Sequence, residues 1–334
     1  PRSESEESAM KYFLLGAFSS SVFVFGIAFI YGATGTTALP EVLVAIGETN
    51  GLLLAGIAFL LVGFGFKIAA VPFQMWTPDV YEGAPTVVTA FMSVGAKVGG
   101  FAALLRILMG ALPNLGEAWV PAIAVLAALT LIVGNIVAIM QQNIKRMLGY
   151  SSIAHAGFIL IAVAASSDSP DGVSAALFYM FAYLFTNIGA FAVVIAMERQ
   201  LGQGIYLDDY KGLAKSHPWM ALAMAFFMLS LTGIPLTGGF AAKFYVLRTA
   251  IEANLIWLAI IGVATSVISA FYYLRVVYLM YMYDGEAELS ERPALITAVW
   301  ITAVVTLLLG ILPAWGFDIA RDAVLGSVEL LAGG

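Results

Sequence analysis

Nine long apolar runs, separated by polar stretches too short to fold alone, set the first limit on this chain. A bilayer core asks for about 20 apolar residues per helix. On that ruler, helices are expected at 10–31, 51–73, 84–108, 118–140, 147–165, 173–197, 218–249, 255–282 and 293–312. Hydrophobic residues make up 61% of the 334 and charged ones 11%, with a mean hydropathy of +0.95. A soluble domain is about 45–50% apolar and roughly 25% charged. Water therefore cannot be the main solvent, and the expected fold class is an all-α integral membrane bundle.

The helix interiors mix small residues with large ones, as at Gly63/Gly65, Gly95/Gly99/Gly100 and Gly238/Gly239, which lets backbones approach closely inside lipid. Residues 1–312 read as one transmembrane domain. Residues 313–334 alternate apolar positions with Asp318, Arg321, Asp322 and Glu329 and are expected to lie along the interface. The first residues, PRSESEES, lack the basic start and apolar core of a signal peptide, so the chain reads as a piece of something longer.

Charge sets the orientation. One side carries Arg2, Lys11, Lys145, Arg146, Arg199, Lys211, Lys215, Arg275 and Arg292, and the other Arg106, Arg248 and Arg321. By the positive-inside rule the first side is cytoplasmic, so the N-terminus faces the cytoplasm and the C-terminus the outside. Lys145, Arg146 and Arg275 are expected to be anchors of this kind. The net charge of −6 argues against nucleic acid as a partner. With no cysteine there is no disulfide and no thiolate-held cluster or zinc.

Three basic residues fall inside apolar runs: Lys67 in GFGFKIAAV, Lys97 in MSVGAKVGGF and Lys243 in GFAAKFYVL. Insertion scales charge about 2.5–3.5 kcal/mol for a lysine at a helix centre, which calls for a compensating role. Snorkelling is the plain alternative. Lys97 resists it best, because about 13 residues into its helix it lies roughly 20 Å from the start. Burial penalises an ammonium, so modest changes in neighbouring charge can load or unload such a group, and proton transfer fits that chemistry. Pro72 follows Lys67 by five residues and Pro235 precedes Lys243 by eight, so two helices are expected to be discontinuous, in reversed order. That reversal is the pattern of an inverted repeat.

His155, in GYSSIAHAGFIL, is either a histidine satisfied by local hydroxyls or a relay between lysines. His217, before Pro218, reads as interfacial. The connection QMWTPDVYEGAPT reads as a turn, with a lesser role in proton access open to Asp79 and Glu82. Glycine-rich phosphate loops, paired carboxylates and Ser/His/Asp sets are absent from the sequence.

At VGFGFKIAAVPFQMWTPDVYEGAPT, NIKRMLGYSSIAHAGF and LSLTGIPLTGGFAAKFYVL, the chain resembles the subunit N family of proton-pumping NADH:quinone oxidoreductase, respiratory complex I, across nearly its whole length. The resemblance implies a fourteen-helix antiporter-like fold with inverted repeats, of which the nine helices are the sixth to the fourteenth. It places Lys67, Lys97 and Lys243 on the family's intramembrane lysines and His155 on its central histidine. It also implies a proton-translocating membrane-arm subunit in the cell inner (plasma) membrane, with other complex subunits as partners. NADH, FMN, iron–sulfur clusters and quinone would sit on those partners, with no cofactor or metal in this chain. The family's membrane glutamate, the partner expected for Lys67, has no counterpart in Glu6 or Glu7, which precede the first expected membrane helix at 10–31. Gln74 stands where many relatives have His. Two rivals remain open: a subunit of a multisubunit cation/proton antiporter, and a structural spacer of the membrane arm.

Overall fold

A computed structural model of the chain describes residues 3–47, 50–198, 203–290 and 292–332, with side chains as far as 324. Arg2 and Arg199, counted above for orientation, lie outside the described residues. Fourteen α-helices follow one another among those residues: α1 (Ser3–Thr34), α2 (Leu39–Ala45), α3 (Gly51–Ile68), α4 (Trp76–Gly83), α5 (Thr86–Gly110), α6 (Gly116–Ile139), α7 (Ile144–Ala165), α8 (Gly172–Met197), α9 (Leu213–Ser216), α10 (Pro218–Thr232), α11 (Gly238–Glu252), α12 (Ile256–Met282), α13 (Pro293–Ile311) and α14 (Pro313–Ala332). Eight are long and apolar enough to cross a membrane. The shorter α10 and α11 act in series, so the described helices account for nine passes, as the hydropathy runs predict. Apolar side chains such as Phe18, Phe91, Val267 and Phe271 point outward, which suits a lipid solvent.

The bundle is built around α7. Its apolar stretch is 94% buried, against 11% for α1 at the periphery. The contact of α7 with α6 rests on two glycines. A methyl carbon on Gly134 would lie 2.8 Å from the Ala154 amide nitrogen, and one on Gly157 3.0 Å from the Leu131 nitrogen. Only a bare Cα lets these backbones meet, the way small residues work inside lipid.

Both expected breaks are present. α3 ends at Ile68 with Ala69 in the left-handed region (φ 62°), and α10 ends at Thr232 with Gly233 at φ 94°. Thr237 then opens α11, its hydroxyl accepting from the Phe240 amide at 3.3 Å. Lys67 precedes its break and Lys243 follows its own, in the reversed order noted in the sequence.

The connection expected to be a turn is instead the helix α4. Pro78 sits in its first turn, where the missing N–H costs little. Trp76, Thr77, Val80 and Tyr81 are buried, with α4 lying against α1 and α7. The Trp76 indole donates to the Phe66 carbonyl at 2.9 Å, capturing an acceptor in the last turn of α3. Tertiary burial holds this short helix, and local sequence does not reveal it. The tail after residue 312 is the helix α14, docked by Phe317 stacked on Tyr245 at 4.1 Å and by Arg321 paired with Asp171 at 3.4 Å.

Candidate functional site

Lys97, His155 and Lys243 converge on the buried core around α7, whereas Lys67 stands apart. Lys97, on α5, is 3% exposed and donates to the backbone carbonyl of Ser152 on α7. The Ser152 hydroxyl shares a hydrogen bond of 3.2 Å with Tyr81, and the Ser151 hydroxyl shares a short one with Tyr273. One turn along α7, both ring nitrogens of His155 are occupied: Nδ1 meets the Tyr179 hydroxyl at 2.7 Å and Nε2 the Tyr273 hydroxyl at 3.1 Å. Tyr183 packs its ring on the imidazole at 4.8 Å.

This arrangement has a chemical consequence. A neutral imidazole donates from one nitrogen and accepts at the other, and a phenol does either. A proton received at one nitrogen can leave from the other, provided the tautomer then resets. Beside the ring, His155, Tyr183, Thr186 and Ser230 line a cavity of about 10 Å³, near the lower limit for one water. Thr186 and Ser230 share a hydrogen bond of 3.2 Å and lead to the α10–α11 break.

At that break Lys243, 6% exposed, donates to the Leu231 and Thr232 carbonyls at 3.0 and 2.9 Å and lies 4.9 Å from the Phe158 ring. These carbonyls are among those a helix end leaves unpaired. Gly233 makes room: a side chain there would press on the Lys243 stem at 3.0 Å.

Lys67 is exposed in a groove of about 550 Å³ bordered by α1, α3 and α5, with Phe23, Phe64 and Gly100 among its walls. Its described contact is the Tyr12 hydroxyl at 3.4 Å. Among the described residues no carboxylate pairs with it.

Several polar groups of the site carry no signal in the sequence. Tyr179, Tyr183 and Thr186 recur at helical spacing on α8, and Tyr272 and Tyr273 are adjacent on α12, but aromatic residues at such spacing read as packing. Lys145, expected to be an anchor, is 1% exposed, and its Nζ donates to the Ala84 carbonyl at 2.7 Å. Arg275 likewise donates to the carbonyls of Ile139 and Gln141, closing the end of α6. Lys145, Arg275 and Lys243 thus meet carbonyls released where a helix ends, the backbone's unmet need. Lys97 differs, because its acceptor is a mid-helix carbonyl already within the α-helical ladder.

At the basic end of the bundle, Asp79 is gripped by Lys11 at 2.8 Å and Arg146 at 2.6 Å, and Arg146 also holds Glu82 at 2.9 Å. Partial burial works against the Asp79 charge, but the hydrogen bonds from Lys11 and Arg146 outweigh it and hold the carboxyl below the usual aspartate range. A carboxyl depressed in this way lends stability above its unfolded value, about 3.9, and loses it as pH falls through the folded value. Asp79→Asn is therefore expected to weaken the α1–α4–α7 clamp by on the order of 1 kcal/mol near neutrality. The gap to wild type should close below about pH 3.9, which thermal unfolding of the purified protein across that range would measure.

A multi-pass bundle with two broken helices and buried lysines at one break and mid-helix defines a class, the antiporter-like membrane subunits. The sequence profile of the family "NADH:quinone oxidoreductase/Mrp antiporter, TM" matches residues 2–269. The chain is 50% identical to NADH-quinone oxidoreductase subunit N of Chloroflexus aggregans over 333 residues, covering 97% of this chain and 68% of that protein. It therefore belongs to the NADH-quinone oxidoreductase subunit N family. A chain of respiratory complex I from Thermus thermophilus with bound aureothin superposes with a TM-score of 0.83 at 36% identity, covering 95% of this chain and 69% of that one. A chain of the Mrp complex from Dietzia shares the fold at a TM-score of 0.86 and 21% identity, covering 95% and 67%.

Proposed function

We propose that this chain serves in the membrane arm of an NADH:quinone oxidoreductase and moves protons along Lys67, Lys97, His155 and Lys243. The observation that carries this reading is His155 bonded at both nitrogens to hydroxyls, in the core that also buries Lys97 and Lys243. Electrons pass from NADH to quinone through FMN and iron–sulfur clusters on partner subunits, and this chain responds. Lys67, open to its groove, changes charge when an acidic partner moves or is neutralised. Lys97 and His155 relay the proton through hydroxyls and water, and Lys243 releases it on the far side. The basic end faces the cytoplasm, as the positive-inside rule has it, and membership of the subunit N family supports the cell inner membrane as its site.

The second reading, a cation/proton antiporter subunit, is favoured by one observation, the fold shared with the Mrp complex. Vesicles reconstituted with the assembled complex separate the two. NADH with quinone is expected to drive proton uptake, and a sodium gradient without NADH to drive none. Sodium-driven proton movement would overturn the first reading.

A further inference from the structure

The α5 face that leads to Lys97 is polar from its first residue. Thr86, Thr89, Ser93 and Lys97 follow at spacings of three, four and four, so they share one side of the helix. All four are buried. Over eleven residues the stripe runs roughly 16 Å, from the start of α5, just after α4 and its charged clamp, to the Lys97 level.

Ordinary helix bonding explains part of it. The Thr89 hydroxyl donates to the Tyr81 carbonyl at 3.1 Å, and the Ser93 hydroxyl donates back to Ala90 at 2.7 Å. It does not explain Asn187. This residue, on α8, is 0% exposed and reaches across the seam, its amide donating to the Ser93 oxygen at 2.6 Å. Its carboxamide oxygen is buried and has no hydrogen-bond partner among the described residues, and the same holds for the hydroxyls of Thr86 and of Thr77 on α4. Buried acceptors in native proteins are met by protein or by ordered water. Here the unmet atoms lie at the start of the stripe and one turn short of its lysine.

We propose that the α5–α8 seam binds water at Asn187, and that this water hands protons to Lys97 from the basic end of the bundle. The inference rests on the reading of Lys97 as a proton carrier. Its balance is simple: one proton enters at the Thr86 end, the bound water passes one proton to the Lys97 amine, and the water is re-formed. No other bond changes. Asn187 is a positioning residue, since it holds the water and touches neither end of the transfer.

Two measurements on the assembled complex test it. A map sharp enough to show ordered water is expected to place density about 3 Å from the Asn187 oxygen. Well-resolved side chains with no such density would overturn the water site, whatever Lys97 does. Asn187→Leu, which keeps the branched shape and removes the polar atoms, is expected to slow coupled turnover about tenfold and to raise the solvent deuterium effect as proton uptake becomes limiting. In a Lys97→Met background the same change is expected to add nothing. Slowing with an unchanged isotope effect, or additive losses in the double variant, would mean packing alone and would overturn the role. If Asn187→Leu fails to assemble, Ser93→Ala takes its place with the same expectations.

Discussion

Lys97→Met is expected to cut proton translocation by about a hundredfold or more while the complex assembles normally. The geometry separates the two effects. Methionine fills the space of the lysine stem without opening a cavity, so packing is nearly conserved. The Ser152 carbonyl that accepts from Nζ sits mid-helix, where the α-helical ladder already serves it, so no acceptor is stranded. Removing a buried ammonium also lifts a burden of about 2.5–3.5 kcal/mol on insertion scales. Stability should therefore hold or rise. Reconstituted vesicles driven by NADH would report pumping, and thermal unfolding of the same preparation would report stability. Pumping at more than half the wild-type rate would end the case for a relay through Lys97, and the spacer reading would gain.

How far the sequence discloses this site depends on which force places each residue. Hydropathy alone locates the nine passes, because the bilayer sets one length scale for every helix. Pro72 and Pro235 disclose the breaks, because proline removes a donor that lipid cannot replace. The helix α4 stays hidden: eight residues with a proline and a terminal glycine have little propensity of their own, and the burial of Trp76, Val80 and Tyr81 is what holds them. Lys145 is hidden for a related reason. Beside Arg146 it reads as an anchor, but one residue apart on a helix means different faces, so Arg146 meets Asp79 while Lys145 turns inward to Ala84. Lys67 shows the converse. Its apolar neighbours suggest enclosure, yet its own side of α3 looks into a groove. The tyrosine hydroxyls on His155 come from α8 and α12, 24 and 118 residues away, and no local pattern records where a phenol points.

Lys243 needs a different experiment, because it has a structural task that Lys97 lacks. It holds the Leu231 and Thr232 carbonyls at the end of α10, and its charge sits where the helix dipole is negative. Lys243→Met would strand both acceptors in a low-dielectric interior, an expected loss of about 2–4 kcal/mol, so lost pumping in that variant would have two explanations. Lys243→Arg divides them. A guanidinium keeps the charge and the donors but does not give up its proton in a protein. Crowding against Gly233 should cost about 1–3 kcal/mol, which leaves the complex assembled. The expected result is an assembled Arg variant that oxidises NADH slowly and pumps at least tenfold less. An Arg variant that pumps at the wild-type rate would make Lys243 a helix cap, and the outward release step would then have to run through the Thr186, Ser230 and Thr306 hydroxyls that meet beside the break.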